Sequence, residues 1–215
     1  MSYMRSQEFG YLLVNGLSDG RELPRDRAAD WWWARVGIKL EHSRTNWYRG
    51  TFEQKRRDVR NQVEGMLHQF PVVVMIGSSA GGGLIGNVFD EIKDTSVCGI
   101  LAHARTKVGD YPDTSHRSLY RCAHLDEEQS SQSFYDSVRH FDEIAVPRLT
   151  FEDKKRLLVL TQLTDLIVPL ETMGIDGVKE HRSIAFGHSG GLVVHTMVDR
   201  DLIMEFAAEQ FPGSS

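Results

Sequence analysis

Three segments of this chain carry residue types that could run acyl transfer together. Gly77-Ser78-Ser79-Ala80-Gly81 sets a serine between glycines directly after the apolar run Val72-Val73-Val74-Met75-Ile76. A serine hydroxyl is a weak nucleophile at neutral pH. It needs a base within hydrogen-bond reach and a group that holds the base. A buried strand, then Gly-x-Ser-x-Gly, then a helix forms a sharp turn that presents the hydroxyl at the sheet edge, so Ser79 reads as a nucleophile. The small residues Gly77, Ala80, Gly81, Gly82 and Gly83 allow so tight a turn. Asp165, in Thr164-Asp165-Leu166-Ile167-Val168-Pro169, directly follows a second apolar run, residues 156–163. An acid at the carboxyl end of a parallel strand lies in the crevice where open sheets bind ligands; taken alone, it would cap the next turn. His188, in Phe186-Gly187-His188-Ser189-Gly190-Gly191, sits on a glycine-rich loop after the last strand. Its imidazole can accept the serine proton and return it to a leaving group.

Other readings of these segments are weaker. Gly81-Gly82-Gly83-Leu84-Ile85-Gly86 fits Gly-x-Gly-x-x-Gly. A dinucleotide site needs that pattern at the strand end with an acid about 20 residues on. Here it falls inside the expected helix, and the next strand ends in Ala102-His103-Ala104-Arg105. No Gly-Lys-Ser/Thr follows to make a phosphate loop. Ser189 also lies in a Gly-x-Ser-x-Gly, yet no acid and histidine follow it in the required order, since His195 comes too soon. His42, His103, His116, His124, His140 and His181 are scattered without metal-ligand spacing and read as solvated side chains, so no metal is expected.

The elements that must position these residues can be read from hydrophobic periodicity. Strands are expected at Tyr11–Val14, Gly37–His42, Val72–Ile76, Val97–Ala102, Arg156–Leu163 and Arg182–Phe186. Helices are expected at Pro24–Arg35, Thr51–Gln69 (with Thr51 as cap), Ala80–Lys93, Glu128–Ile144, Pro169–Val178 and Asp199–Phe211. Strand and helix alternate, and the strands are almost continuously apolar. That pattern predicts an α/β fold: a mostly parallel sheet of about six strands with helices on both faces.

Length and composition fit one domain over residues 1–215. The chain is 40% apolar and 26% charged, with a net charge of −5, which leaves no electrostatic footprint for nucleic acid or anionic membranes. No run approaches the roughly 18 apolar residues of a membrane span. The N-terminus has no apolar signal segment, so a reducing cytoplasm is the expected compartment. Cys98, in an apolar stretch, reads as an inert core residue. The pairs Arg56-Arg57 and Lys154-Lys155 read as solvated faces. Three adjacent tryptophans, Trp31-Trp32-Trp33, must point in different directions on a helix. One at the rim of a packed helix is the plain expectation. An aromatic wall of an acyl pocket, or an association surface in a homo-oligomer, is the sharper one.

From Leu12 to Phe211 the chain resembles the α/β-hydrolase family, with Ser79 matching the nucleophile elbow, Asp165 the acid loop and His188 the histidine loop. Residues 11–16, Tyr-Leu-Leu-Val-Asn-Gly, are similar to the strand that ends in His-Gly before that family's oxyanion loop. The resemblance implies a serine esterase-like hydrolase acting on a small-molecule acyl substrate, without metal or organic cofactor. It implies an oxyanion hole made by the backbone N–H groups of Leu17 and Ala80. It also implies a sheet lacking the family's first two strands, with residues 103–147 as a small lid in place of a cap domain. Asn15 stands where the family usually has histidine, and with the missing strands it leaves a weakly catalytic binding or scaffold protein as one alternative; an acyltransferase, which uses the same acyl-enzyme, is another.

Overall fold

The computed structural model describes residues 8–16, 18–47, 49–108, 138–165, 167–186 and 194–212. Within them lies a six-stranded sheet in which every pairing is parallel. Its strands are β1 (Phe9–Val14), β2 (Leu40–Ser43), β3 (Val72–Ser78), β4 (Val97–Ala102), β5 (Leu157–Thr164) and β6 (Lys179–Phe186), in the spatial order β2-β1-β3-β4-β5-β6. Chain order and spatial order differ at β1, so β3, which precedes Ser79, is central.

Alternate residues of each strand serve two cores, which is why the strands read as unbroken apolar runs. Leu12, Val14, Val73, Met75 and Leu101 face α2 (Phe52–Leu67) and α3 (Ala80–Ile92), meeting Val59, Val63, Leu84, Ile85 and Val88. Tyr11, Leu13, Val74, Ile76 and Ile100 face α1 (Pro24–Ala34) and the last long helix, meeting Ala29, Trp33, Ile203 and Phe206. Cys98 lies in this second core, where burial pushes its thiol up to about 12 and keeps it protonated.

Local chemistry sets the helix ends. Thr51 caps α2 by accepting from Gln54 N at 3.2 Å, and Gln54 Oε1 accepts in return from Thr51 N at 2.9 Å. Leu23 cannot cap α1 with its side chain; instead Asp26 reaches back and accepts from Leu23 N at 2.9 Å. α4 (Phe151–Lys155), a short helix the periodicity does not announce, is capped by Thr150 and leads into β5. α5 (Arg200–Gln210) closes the described fold.

Several expectations need correcting. The helix expected over Pro169–Val178 is a single 3₁₀ turn, Leu170–Thr172, because Gly174 (φ 91°) and Gly177 (φ 82°) turn the chain out of helical space. β6 begins at Lys179, three residues early. It is an edge strand, and its polar start, Lys-Glu-His-Arg, hides its period. β2 begins at Leu40 because Gly37 takes φ 78°. Of the helix expected over Glu128–Ile144, the described part is a π-helical turn at His140–Ala145 that runs on through Val146–Arg148. The proposed lid lies mostly outside the described residues, at 109–137. Among the described residues no helix is long and apolar enough to cross a membrane.

Candidate active site

β3 delivers seven buried residues and then turns at Ser79, whose backbone adopts φ 55° and ψ −123°. That conformation is costly for any residue with a Cβ, of order 1–3 kcal/mol, and survives only where the surroundings enforce it. They do so here. Ser79 N donates to Ala102 O at 2.9 Å, and Ser79 O accepts from Gly82 N at 2.9 Å. The glycines are required by contact. A Cβ on Gly77 would lie 2.5 Å from Gly81 O, one on Gly81 2.2 Å from Val14 O, and one on Gly82 2.2 Å from the Ala104 Cβ. Ser79 is half-buried between the buried Ser78 and Ala80. Ala80 opens α3, so its N–H is among the four that no carbonyl within the helix can accept. The Gly-x-Gly-x-x-Gly at 81–86 is wholly helical and packed, with Gly86 against the Phe141 ring, so it is no phosphate loop.

The end of β1 presses against this turn. A Cβ on Gly16 would lie 2.9 Å from the Ser79 Cβ, so only glycine lets the Asn15-Gly16 loop approach the hydroxyl so closely. The departure at Asn15 has a structural reason. Its Nδ2 donates to Asp26 Oδ1 at 2.9 Å, and its carbonyl accepts from Trp47 Nε1 at 3.2 Å. Asp26, 1% exposed, is also bonded by Arg44 Nη1 at 3.1 Å. Asn15 thus supplies a donor to a buried carboxylate and ties the loop to α1. Leu17 lies outside the described residues.

Asp165 stands just past β5, at the same carboxyl-terminal edge as Ser79, with β4 between their strands. Its Oδ1 accepts from Ile167 N at 2.8 Å and Val168 N at 2.9 Å, and its Oδ2 accepts from Gln162 Nε2. The turn-capping role is therefore real, and it locks the carboxylate's orientation. β6 ends at Phe186; His188 and Ser189 lie outside the described residues, as do His116 and His124.

Sequence reasoning missed a buried polar chain beneath this edge. His103, expected to be solvated, is 1% exposed, and its Nε2 lies 3.0 Å from Ser78 Oγ. Its backbone takes φ 38°, and its ring stacks on that of His195 at 5.3 Å. His195 Nδ1 bonds Asp199 Oδ2 at 2.7 Å, and Ser183 Oγ donates to the same oxygen. Burial alone would raise the Asp199 carboxyl, but the bonds from His195 and Ser183 outweigh it and hold the carboxyl below its ordinary range. The chain of contacts runs from the residue before Ser79 to the segment that follows the histidine loop. Ser78 and His103 form a serine–histidine pair of their own, but Ser78 is only 2% exposed and no substrate can reach it. The signals were faint: His195 and Asp199 are four residues apart, which is helical spacing. Ser78 and Ala102 pair in the sheet, which puts His103 beside the elbow.

Other side chains also differ from expectation. His42 Nε2 pairs with Asp30 at 2.6 Å rather than facing water. Arg56 is matched by Glu53 and Glu91. Trp33 is fully buried and donates from Nε1 to Thr196 O at 2.6 Å, fastening the segment after the histidine loop to α1. Trp31 is the tryptophan left at the rim, 59% exposed.

No protein-family model matches the chain, and no curated protein does. Solved structures do. An α/β hydrolase enzyme from the metagenome of sediments of the Mar Chica lagoon, Morocco, superposes with a TM-score of 0.65 at 12% identity, covering 95% of this chain and 93% of that one. An esterase of Pyrococcus furiosus gives 0.60 at 14% identity, over 97% and 84% of the two chains. A metagenome-derived lipolytic enzyme gives 0.58 at 15%, over 96% and 97%. With its parallel sheet, its strand order and the strained serine after its central strand, this chain has the α/β-hydrolase fold.

Proposed function

We propose that the chain is a serine hydrolase that cleaves an ester, thioester or small amide through an acyl-enzyme on Ser79. The observation that carries this reading is the backbone of Ser79, a non-glycine residue held at φ 55° against the loop at Gly16. Strain of this kind gathers where a side chain must be presented for chemistry. In this reading Ser79 Oγ attacks the acyl carbon while His188 takes its proton. His188 then returns the proton to the leaving group, and Asp165 orients the imidazole. The N–H groups of Leu17 and Ala80 receive the developing oxyanion, and such donors are worth about 3–4 kcal/mol each. Water, activated by the same histidine, releases the acyl group.

A fluorophosphonate probe tests the assignment. Wild-type protein is expected to be labelled, and Ser79→Ala is expected to lose labelling while its circular dichroism is unchanged. Labelling that persists in the variant refutes the role of Ser79.

A further inference from the structure

A cleft of about 460 Å³ opens between the end of β2 and the first turns of α2. Among the described residues its wall is formed by polar and charged side chains and Gly50. Arg44, Arg49, Lys55 and Arg57 line it, against one acid, Asp58, in a protein whose net charge is −5. Most arginines elsewhere are matched; Arg21, Arg27, Arg56 and Arg156 each face a carboxylate. Arg49 and Arg57 have no such partner among the described residues. Lys55 is 5% exposed and donates from Nζ to Arg49 O at 2.9 Å and Gly50 O at 2.8 Å, which fixes the loop that carries Arg49. The amino-terminal end of α2 adds its partial positive charge to the same space.

The sheet register relates the strand that leads into the cleft to the strand that leads to Ser79. Val14 pairs with Ser43 on one side and Gly77 on the other, so the ends of β2 and β3 stand level, two strand spacings or about 10 Å apart. The Asn15-Gly16 loop follows β1 between them, and Arg44 is bonded to that loop's anchor, Asp26.

We propose that this cleft binds an anionic oxyacid group, phosphate or carboxylate, carried by the acyl or leaving part of the substrate. Planar guanidinium groups suit both anions. The inference rests on Ser79 being the nucleophile, and its test separates the two claims.

Three p-nitrophenyl esters of matched length would be compared, ending in phosphate, carboxylate or a neutral methyl ester. An anionic ester is expected to show a KM about tenfold lower than the neutral one, the worth of a few exposed charge contacts. Salt should erode that advantage. In Arg49→Ala/Arg57→Ala the ratio should fall to about one, whereas removing two charges at Lys154 and Lys155, at the other end of the sheet, should leave it intact. Calorimetry on Ser79→Ala gives a readout free of turnover: the phosphate-terminated ester should bind about tenfold more tightly than the neutral one, and equally once Arg49 and Arg57 are also replaced. Equal binding, or a preference that survives the double substitution, overturns the cleft. A preserved binding preference with no turnover of any ester by the wild type sinks the Ser79 reading and leaves the cleft standing.

Discussion

Alanine in place of glycine inside a helix normally stabilises a protein, and this chain offers the same change in two helices with opposite expected outcomes. Gly65 lies in α2, and a Cβ added there meets nothing within 4 Å. Gly65→Ala should therefore gain helix propensity, up to about 1 kcal/mol. In a chain of this size that is a rise of roughly 2–4 °C in Tm. Gly81 lies in the first turn of α3, where the new Cβ would sit 2.2 Å from Val14 O and 2.8 Å from Asn15 O. Both obstacles are backbone atoms of β1 and the loop after it, which cannot swing aside as a side chain would. Overpacking costs about 1–3 kcal/mol, and a backbone obstacle puts it at the upper end. Subtracting the same propensity gain leaves a net loss of about 1–2 kcal/mol and a Tm lower by roughly 2–8 °C. The displaced atoms belong to the loop that presses on Ser79, so probe labelling of Ser79 should slow as well. Thermal unfolding of both variants beside the wild type checks this. A rise in Tm for Gly81→Ala equal to that of Gly65→Ala would show that α3 does not pack on the end of β1, and the geometry argued for the elbow would fail with it.

On the proposed mechanism Asp165→Asn should lower kcat by as much as about 10,000-fold, because an amide would no longer hold the imidazole in the required tautomer. Steady-state kinetics decides; a fall smaller than about tenfold would refute Asp165 as the residue that orients the histidine. Asp199 predicts a pH signature. Its folded carboxyl lies below the ordinary 3.8, burial being outweighed by the bonds from His195 and Ser183, so its stabilisation is present above that value and lost as pH falls through the lower folded one. Asp199→Asn should thus be less stable than wild type in urea at neutral pH, with the gap closing in strong acid. An equal gap at both pH values contradicts the role given to the Asp199 carboxylate.

Much of this molecule is legible locally. The run Val72–Ile76 and its glycine-rich sequel announce strand, turn and helix, and the structure keeps β4 at the same residues, Val97–Ala102. The misreadings cluster where edge strands carry polar residues, as in β6, and where glycines at positive φ end an element that periodicity would continue, as at Gly174 and Gly177. Solvation was misjudged at His103, His42 and Arg56, because burial of a polar side chain depends on a partner from a distant segment.

The residues themselves determined the parallel α/β architecture, the position of the elbow and the chain order of serine, acid and histidine, because apolar period and tight-turn chemistry are properties of neighbours in sequence. Only the tertiary structure decided that Asn15 anchors on Asp26, that His103 joins Ser78 to His195 and Asp199, and that Arg44, Arg49 and Arg57 line one cleft. Those pairings follow from the order β2-β1-β3-β4-β5-β6, which brings residues 14, 43 and 77 level across three strands. Such register is set by the packing of the whole sheet between its helices, and no window of local sequence contains it.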